Sequence, residues 1–257
     1  MPKISVFQRS TCPATTATAA ATAAAAAALL LLCALPPATA NPAVKQDRAA
    51  TQAGSTGNDT ATRRQQAAVK RIGDAVAVVN TMSQEAGMRD LLAKARAVYL
   101  VPTYGRAALG VGGEGGSGVL MARRADGSWG NPAFFNIGGI SVGLQAGVEG
   151  GPFALLLMNQ KAIDNFRNRN NFSLSADAGI TVVNFSRLAQ GTVTGDVVAW
   201  SGSKGLFGNA ATLAINDIRF NQRLNEAYYG KPMTALQTID SKETNTQADA
   251  LRKVLGK

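Results

Sequence analysis

Histidine is absent from all 257 residues, and the only two cysteines, Cys12 and Cys33, both fall within the first 40. Beyond residue 40 there is therefore no imidazole to serve as a general base and no thiol to serve as a nucleophile. Zinc sites built on His or Cys are excluded there, and so is any disulfide. Acids are scarce, 16 against 26 Lys and Arg. Glu114, Asp126, Glu149, Asp164, Asp177, Asp196 and Asp217 occur singly, and no pair has a spacing that implies a two-carboxylate site. Folding can still bring distant carboxylates together, and Ser201 and Ser203 lie near Lys204 as a conceivable Ser–Lys dyad. A hydrolase therefore stays open as a third reading, although the chain as a whole reads as non-enzymatic, with no metal and no cofactor. Aromatic residues make up 6% of the chain, and Tyr and Phe do not interleave with a basic patch, which argues against a nucleic-acid module.

What is present begins with a leader. Met1–Arg9 carries Lys3 and Arg9 and no acid, Ala17–Leu35 is almost entirely Ala and Leu, and Ala38-Thr39-Ala40 has the small-x-small form of a cleavage site. Residues 1–40 thus read as a secretory signal peptide cut after Ala40, which implies an exported protein of the periplasm or outer envelope. A retained N-terminal anchor is the alternative, for which the run is marginal in length. Lipidation at Cys33 is a second alternative, opposed by the bulk of Leu32. Loss of the leader lowers the formal net charge from +10 to +8. A basic exported chain favours anionic partners such as phospholipid headgroups, acidic polysaccharide or nucleic acid, although plain solubility accounts for the charge equally well.

The centre of the chain is rich in glycine. Seven of the residues from Gly105 to Gly118 are glycine, between the apolar runs Val98–Val101 and Val119–Ala122. Gly110, Gly112 and Gly115 match G-x-G-x-x-G, but the residues that follow read as a strand and an Asp126-Gly127 turn rather than the helix a dinucleotide site needs. Ala107, Leu109, Val111, Val119 and Met121 alternate with small or polar residues, as in a strand. Glycine inside strands marks sharp bends or close backbone approach, so the stretch is expected to be tightly curved or closely packed sheet.

Around it the order is helical, then stranded. Residues 41–58 read as a disordered spacer. Asp59 and Thr60 can cap a helix to about Ser83, with Val69, Ile72, Val76 and Val79 on one face and Arg63, Arg64, Lys70 and Arg71 opposite. Such a basic amphipathic helix either docks on its own domain or lies on an anionic membrane. Glu85–Ala97 reads as a second helix. Val98–Val101 reads as a strand ended by Pro102, and Ile140–Val148 alternates with period two. Gly150-Gly151-Pro152 reads as a turn before the strand Phe153–Met158, Lys161–Arg167 as a helical piece, and Arg167–Asn171 as a solvated basic loop. Further strands are expected at Ile180–Phe185, Thr192–Trp200 and Ala211–Ile218, and a helix at Phe220–Tyr229 capped by Gly230. Lys204 sits alone in the small-residue loop Ser201–Gly208, where backbone N–H groups could help hold an anion. Residues 231–257 read as a tail or a weakly held helix.

Taken in order, Val101-Pro102, the glycine-rich strand, Gly118-Val-Leu-Met-Ala-Arg, Asp126-Gly-Ser-Trp-Gly-Asn-Pro132, Gly143-Leu-Gln-Ala-Gly147, Ser203-Lys-Gly-Leu-Phe207 and Tyr229-Gly230 resemble the SYLF domain family over roughly Arg63 to Gly230. A charged residue common in the family is replaced here by the Gly150-Gly151-Pro152 segment. The resemblance implies a lipid-binding module over residues 59–230, for anionic phospholipid or phosphoinositide-like headgroups, in which an N-terminal amphipathic helix contributes to binding. Expected binding residues are Arg63, Arg64, Lys70 and Arg71, with Lys204 as a further candidate. Actin regulation, described for fungal and animal members, is not expected of an exported chain. A cell-envelope scaffold that binds another protein is the alternative, and no nucleic-acid partner is expected. The expected fold is α+β, a strongly coiled, glycine-rich antiparallel sheet or barrel flanked by helices.

Overall fold

The computed structural model describes residues 44–257 apart from 108–112, 142–148, 191–193, 204–205, 208–209, 211, 244 and 257, with side chains described from Asp59 onward except at 106–107, 113–114, 139–141 and 149. The leader, much of the glycine run, most of Ile140–Val148 and Lys204 lie outside these residues.

The chain opens with a 39-residue helix, α1 (Val44–Met82), followed by a short α2 (Met88–Lys94). α1 starts well before Asp59 and takes in the segment read as a spacer. Alanine and glutamine are good helix formers and carry the helix back through residues 44–58. Strands β1 (Ala97–Ala107), β2 (Gly113–Ala122), β3 (Ala133–Ser141) and β4 (Glu149–Leu157) come next. α3 (Gln160–Asn168) leads to β5 (Asn171–Leu174) and β6 (Val182–Asn184), and a single turn, α4 (Phe185–Leu188), precedes β7 (Val197–Ser201) and β8 (Thr212–Phe220). The chain finishes with α5 (Gln222–Tyr229), α6 (Ala235–Asp240) and α7 (Asp249–Leu255).

Hydrogen bonding runs β3-β2-β1-β4-β7-β6-β8, and β8 pairs back onto β3, so seven strands close into a barrel, with β5 also on β8. The closing register is Phe135↔Phe220 and Ile137↔Ile218. The pairs are antiparallel except β6–β7, where Val182 lies opposite Val197 in parallel. The sheet is thus mixed, because α4 carries the chain over in a crossover rather than a hairpin. Pro102 does not end β1. It sits at a register irregularity between Leu100 and Thr103, where a missing N–H is tolerated, and the strand resumes. Gly150 and Gly151 belong to β4 rather than to a turn before it.

Alternation along the strands sorts apolar side chains into two cores. Tyr99, Val101, Leu120, Phe135, Phe153 and Leu155 form one with Phe166 of α3 and Ile239 of α6. Val98, Leu100, Met121, Phe134, Leu156 and Trp200 form the other with α1, α2, α5 and α7. A helix about 58 Å long cannot lie within such a ring, so the second core is on the outer face and the first lies inside. The inner core is dense in aromatic contacts, with Phe166 against Phe135 at 5.1 Å, Phe172 at 4.7 Å and Tyr99 at 5.5 Å between ring centroids. The Tyr99 hydroxyl donates to the Phe135 carbonyl at 3.0 Å, and burial pushes its ionisation far above the ordinary tyrosine range.

Glycine has a local reason at Gly118. A Cβ there would lie 2.5 Å from the Leu100 carbonyl oxygen and 2.7 Å from the Tyr99 ring, so the inner core needs the missing side chain to seat Tyr99. The expected close backbone approach is therefore present in the described part of the glycine-rich strands. The segment after Gly230 is also more than a tail. Ala235, Ile239, Leu251 and Leu255 are buried, and Arg252 donates to the carbonyls of Gly130 and Asn245 and to Asn131 Oδ1.

Candidate functional site: two cationic surfaces on one barrel

The first surface is the outer side of α1. Its buried stripe is Ala68, Ile72, Ala75, Val79 and Met82, while Val69 and Val76 are only half-buried. The contact line is thus rotated from the expected Val69–Val79 stripe, because small alanines let the helix axis approach the sheet. Of the expected binding residues, Arg63 and Lys70 are exposed and Arg64 and Arg71 half-buried. Lys70 Nζ lies 2.8 Å from Asp74 Oδ2, one turn on, which offsets part of its charge. Lys70, Arg71 and Asp74 share a recess of about 290 Å3 with Pro102, Thr103 and Ser117, and the Ser117 hydroxyl is buried there with no hydrogen-bond partner among the described residues. The structure therefore brings Lys70 and Arg71 together over the β1 irregularity. Lys204 lies outside the described residues. The serines beside it are both engaged: Ser203 Oγ donates to the Gly150 carbonyl at 2.9 Å, and Ser201 Oγ accepts from Ser203 N at 3.1 Å.

The second surface was not found by sequence reasoning. An open groove of about 920 Å3 lies at the barrel end where β1 begins and β2 ends. Arg96 enters from the start of β1, Arg123 and Arg124 from the end of β2, Arg167 from α3, and Lys242 from beyond α6. Its acids are Asp126 and Asp240, and Ala122, Ile163 and Ile239 supply apolar wall. Arg123 is structural: its guanidinium donates to the carbonyls of Ala95 (3.0 Å), Gly127 (2.8 Å) and Leu92 (3.2 Å) and stacks 4.2 Å from the Trp129 ring centroid. Burial lowers its pKa from the ordinary arginine value. Asp126 is held below the usual carboxylate range by hydrogen bonds from the Ser128 hydroxyl and N–H, with a further contribution from the Arg124 charge. Asp240 pairs with Arg167. The remaining cations are less occupied. Arg96 makes a long 3.5 Å contact to Gln160 Oε1, and among the described residues buried donors on Arg124 (Nη2) and Arg167 (Nε) have no partner. The sequence held a faint signal in the doubled Arg123-Arg124 beside the Asp126-Gly127 turn. Arg167 ends the expected helical piece Lys161–Arg167 and stands in the last turn of α3, but sequence reading assigned it no role beyond the solvated loop that follows.

Among the described residues no group of three or more His, Cys, Asp or Glu is placed to hold a metal, and no helix is long and apolar enough to cross a membrane.

Comparison with known proteins gives a consistent relationship. The family described as "Ysc84: Las17-binding protein actin regulator" matches residues 138–257. LAS seventeen-binding protein 3 of Saccharomyces cerevisiae is 26% identical over 159 residues, 60% of this chain and 34% of the yeast protein. SH3 domain-containing YSC84-like protein 1 of Bos taurus is 26% identical over 170 residues, 64% of this chain and 49% of the bovine protein. The human protein of that name is 28% identical over 121 residues, 46% of this chain and 35% of its own. The chain thus spans between a third and a half of the length of these curated relatives. No solved structure matches.

Proposed function

Since residues 138–257 carry a domain of the Ysc84 (SYLF) family, we propose that this chain is an exported, non-enzymatic module that binds anionic phospholipid headgroups at a membrane surface. The observation that supports this reading best is the two-sidedness of α1. Its apolar stripe is used up against the barrel, and its outer side carries Arg63, Arg64, Lys70 and Arg71 toward solvent within nine residues. Binding is then electrostatic and peripheral, because no apolar helix face is left to insert. Each such charge contributes about 1 kcal/mol near an anionic leaflet, so several must engage together. Asp74 weakens the contribution of Lys70, which leaves the arginines dominant. Vesicle flotation tests the reading. The wild type should float with anionic but not neutral vesicles, and Arg63→Glu/Arg64→Glu/Lys70→Glu/Arg71→Glu should stay at the bottom. Equal flotation of the variant would exclude α1 as the contact.

A second reading is a protein-interaction scaffold of the cell envelope, favoured by relatives whose names record Las17 binding and an SH3 domain. It gains if the protein ignores vesicles even at low salt while a protein partner co-purifies. Placement in the periplasm or outer envelope rests on the leader, and the intact mass of the protein recovered from cells checks the proposed cut after Ala40.

A further inference from the structure

We propose that the groove at the barrel end is a binding site for an organic phosphate monoester, separate from the α1 surface and independent of the membrane reading. The two surfaces lie by opposite parts of the β1–β2 ladder. Arg96 precedes β1, whereas the α1 recess includes Thr103, about 20 Å further along at roughly 3.3 Å per residue.

Three features specify the ligand. Three guanidinium groups (Arg96, Arg124 and Arg167) and the Lys242 ammonium converge from four separate segments, against two carboxylates that are both engaged within the protein. The donors left over are the informative ones. Among the described residues the Arg124 and Lys242 side chains make no hydrogen bond, and Arg96 makes only the 3.5 Å contact to Gln160. An anion in the groove would give these cations a partner. Guanidinium forks match phosphate oxygens in geometry, and a phosphate monoester offers three terminal oxygens and close to two charges at neutral pH. Finally, the groove is much larger than a phosphate ion, and its wall includes Ala122, Ile163 and Ile239. That surface suits the carbon portion of an organic phosphate.

The phosphate can be carried by a small soluble molecule or by a lipid headgroup, and two measurements separate these sources. Calorimetric titration with glycerol 3-phosphate reads the soluble source. Flotation with vesicles containing phosphatidic acid, set against vesicles containing phosphatidylglycerol, reads the lipid source and distinguishes monoester from diester. The variant is Arg124→Gln/Lys242→Gln, because neither side chain makes a hydrogen bond among the described residues, so the fold is expected to survive; an unchanged thermal midpoint verifies this. Saturable binding to either monoester probe, weakened about tenfold or more in the variant, is expected. It should strengthen as pH rises through about 6, where the monoester takes its second charge. The α1 quadruple variant should bind glycerol 3-phosphate as the wild type does. Failure to bind either monoester, equal preference for the diester vesicles, or undiminished binding by Arg124→Gln/Lys242→Gln would each overturn the proposal.

Discussion

Asn225 does the work of a strand. It is fully buried on α5, where its Oδ1 accepts from Phe134 N at 3.0 Å and its Nδ2 donates to Phe134 O at 2.9 Å, so its amide pairs with β3 as a backbone would. A third bond, to the Asn221 carbonyl at 2.8 Å, satisfies its other hydrogen. Asn225→Ala would leave the Phe134 N–H unpaired in a dry core, at about 2–3 kcal/mol, while the Phe134 carbonyl keeps the Asn221 N–H at 3.0 Å. A fall in thermal midpoint of roughly 5–10 °C is expected in calorimetry. Asp196 is a second tie of this kind. Its Oδ2 accepts from Thr181 N at 2.8 Å and its Oδ1 from Asn159 Nδ2 at 2.5 Å, and these bonds hold its carboxyl below the usual range. The folded value is depressed, so its stabilisation is fully present above an unfolded value of about 3.9 and disappears as pH falls through the folded value. Asp196→Asn should therefore lower stability at pH 7, with the gap to wild type closing in denaturant melts below about pH 4. Asp217 shows a different accommodation. It takes a left-handed backbone, φ 57°, with its carboxylate held by both Nε and Nη2 of Arg219 at 2.6 Å. Gly138 lies opposite, where a Cβ would collide with that carboxylate.

At the scale of elements, the C-terminal helix has an importance its composition hides. Leu251 and Leu255 are buried in the outer core, and Arg252 ties α7 to Gly130 and Asn131. Burial of two leucines contributes about 3–6 kcal/mol at most, a large share of a typical domain's stability. Deleting residues 246–257 should therefore give a chain that melts well below the full-length protein and binds a hydrophobic dye, as thermal denaturation and dye fluorescence would record. The sequence leaves this segment between a tail and a weakly held helix because seven residues with two leucines give too short a repeat to stand out from polar surroundings. By contrast, the Phe220–Tyr229 helix was legible from its Gly230 stop, and Gly230 does take a left-handed φ of 69°. The strands around the glycines were legible from period two. Helix α1 was legible as a type but not in its phase, since alanine carries too little hydrophobic signal to reveal which side meets the sheet.

For the whole molecule, 26 basic residues outnumber 16 acidic ones. If headgroup binding is a sum of separate surface charges, flotation on anionic vesicles should fall steadily as salt rises from about 0.1 M to about 1 M and the screening length shrinks from about 10 Å to about 3 Å. Flotation indifferent to salt would contradict an electrostatic mechanism. A barrel was among the expected folds, but the strands that meet at its seam, like the groove, were illegible in the sequence for one reason. Both join residues far apart in the chain: Phe135 with Phe220 in the first, Arg96 with Arg167 and Lys242 in the second. Local periodicity carries no information on such pairings, whereas α+β composition and glycine-driven curvature are local and could be read.

The β3–β8 seam sets an order of events during synthesis. Until Thr212–Phe220 has emerged, β3 has one ladder satisfied by β2 and the other bare, so every shorter nascent chain or proteolytic fragment presents an adhesive strip of main-chain donors and acceptors. Cells that make this protein must keep such intermediates apart until roughly the last sixth of the chain arrives, and a chaperone able to shield an open sheet would matter more to its yield than any single side chain.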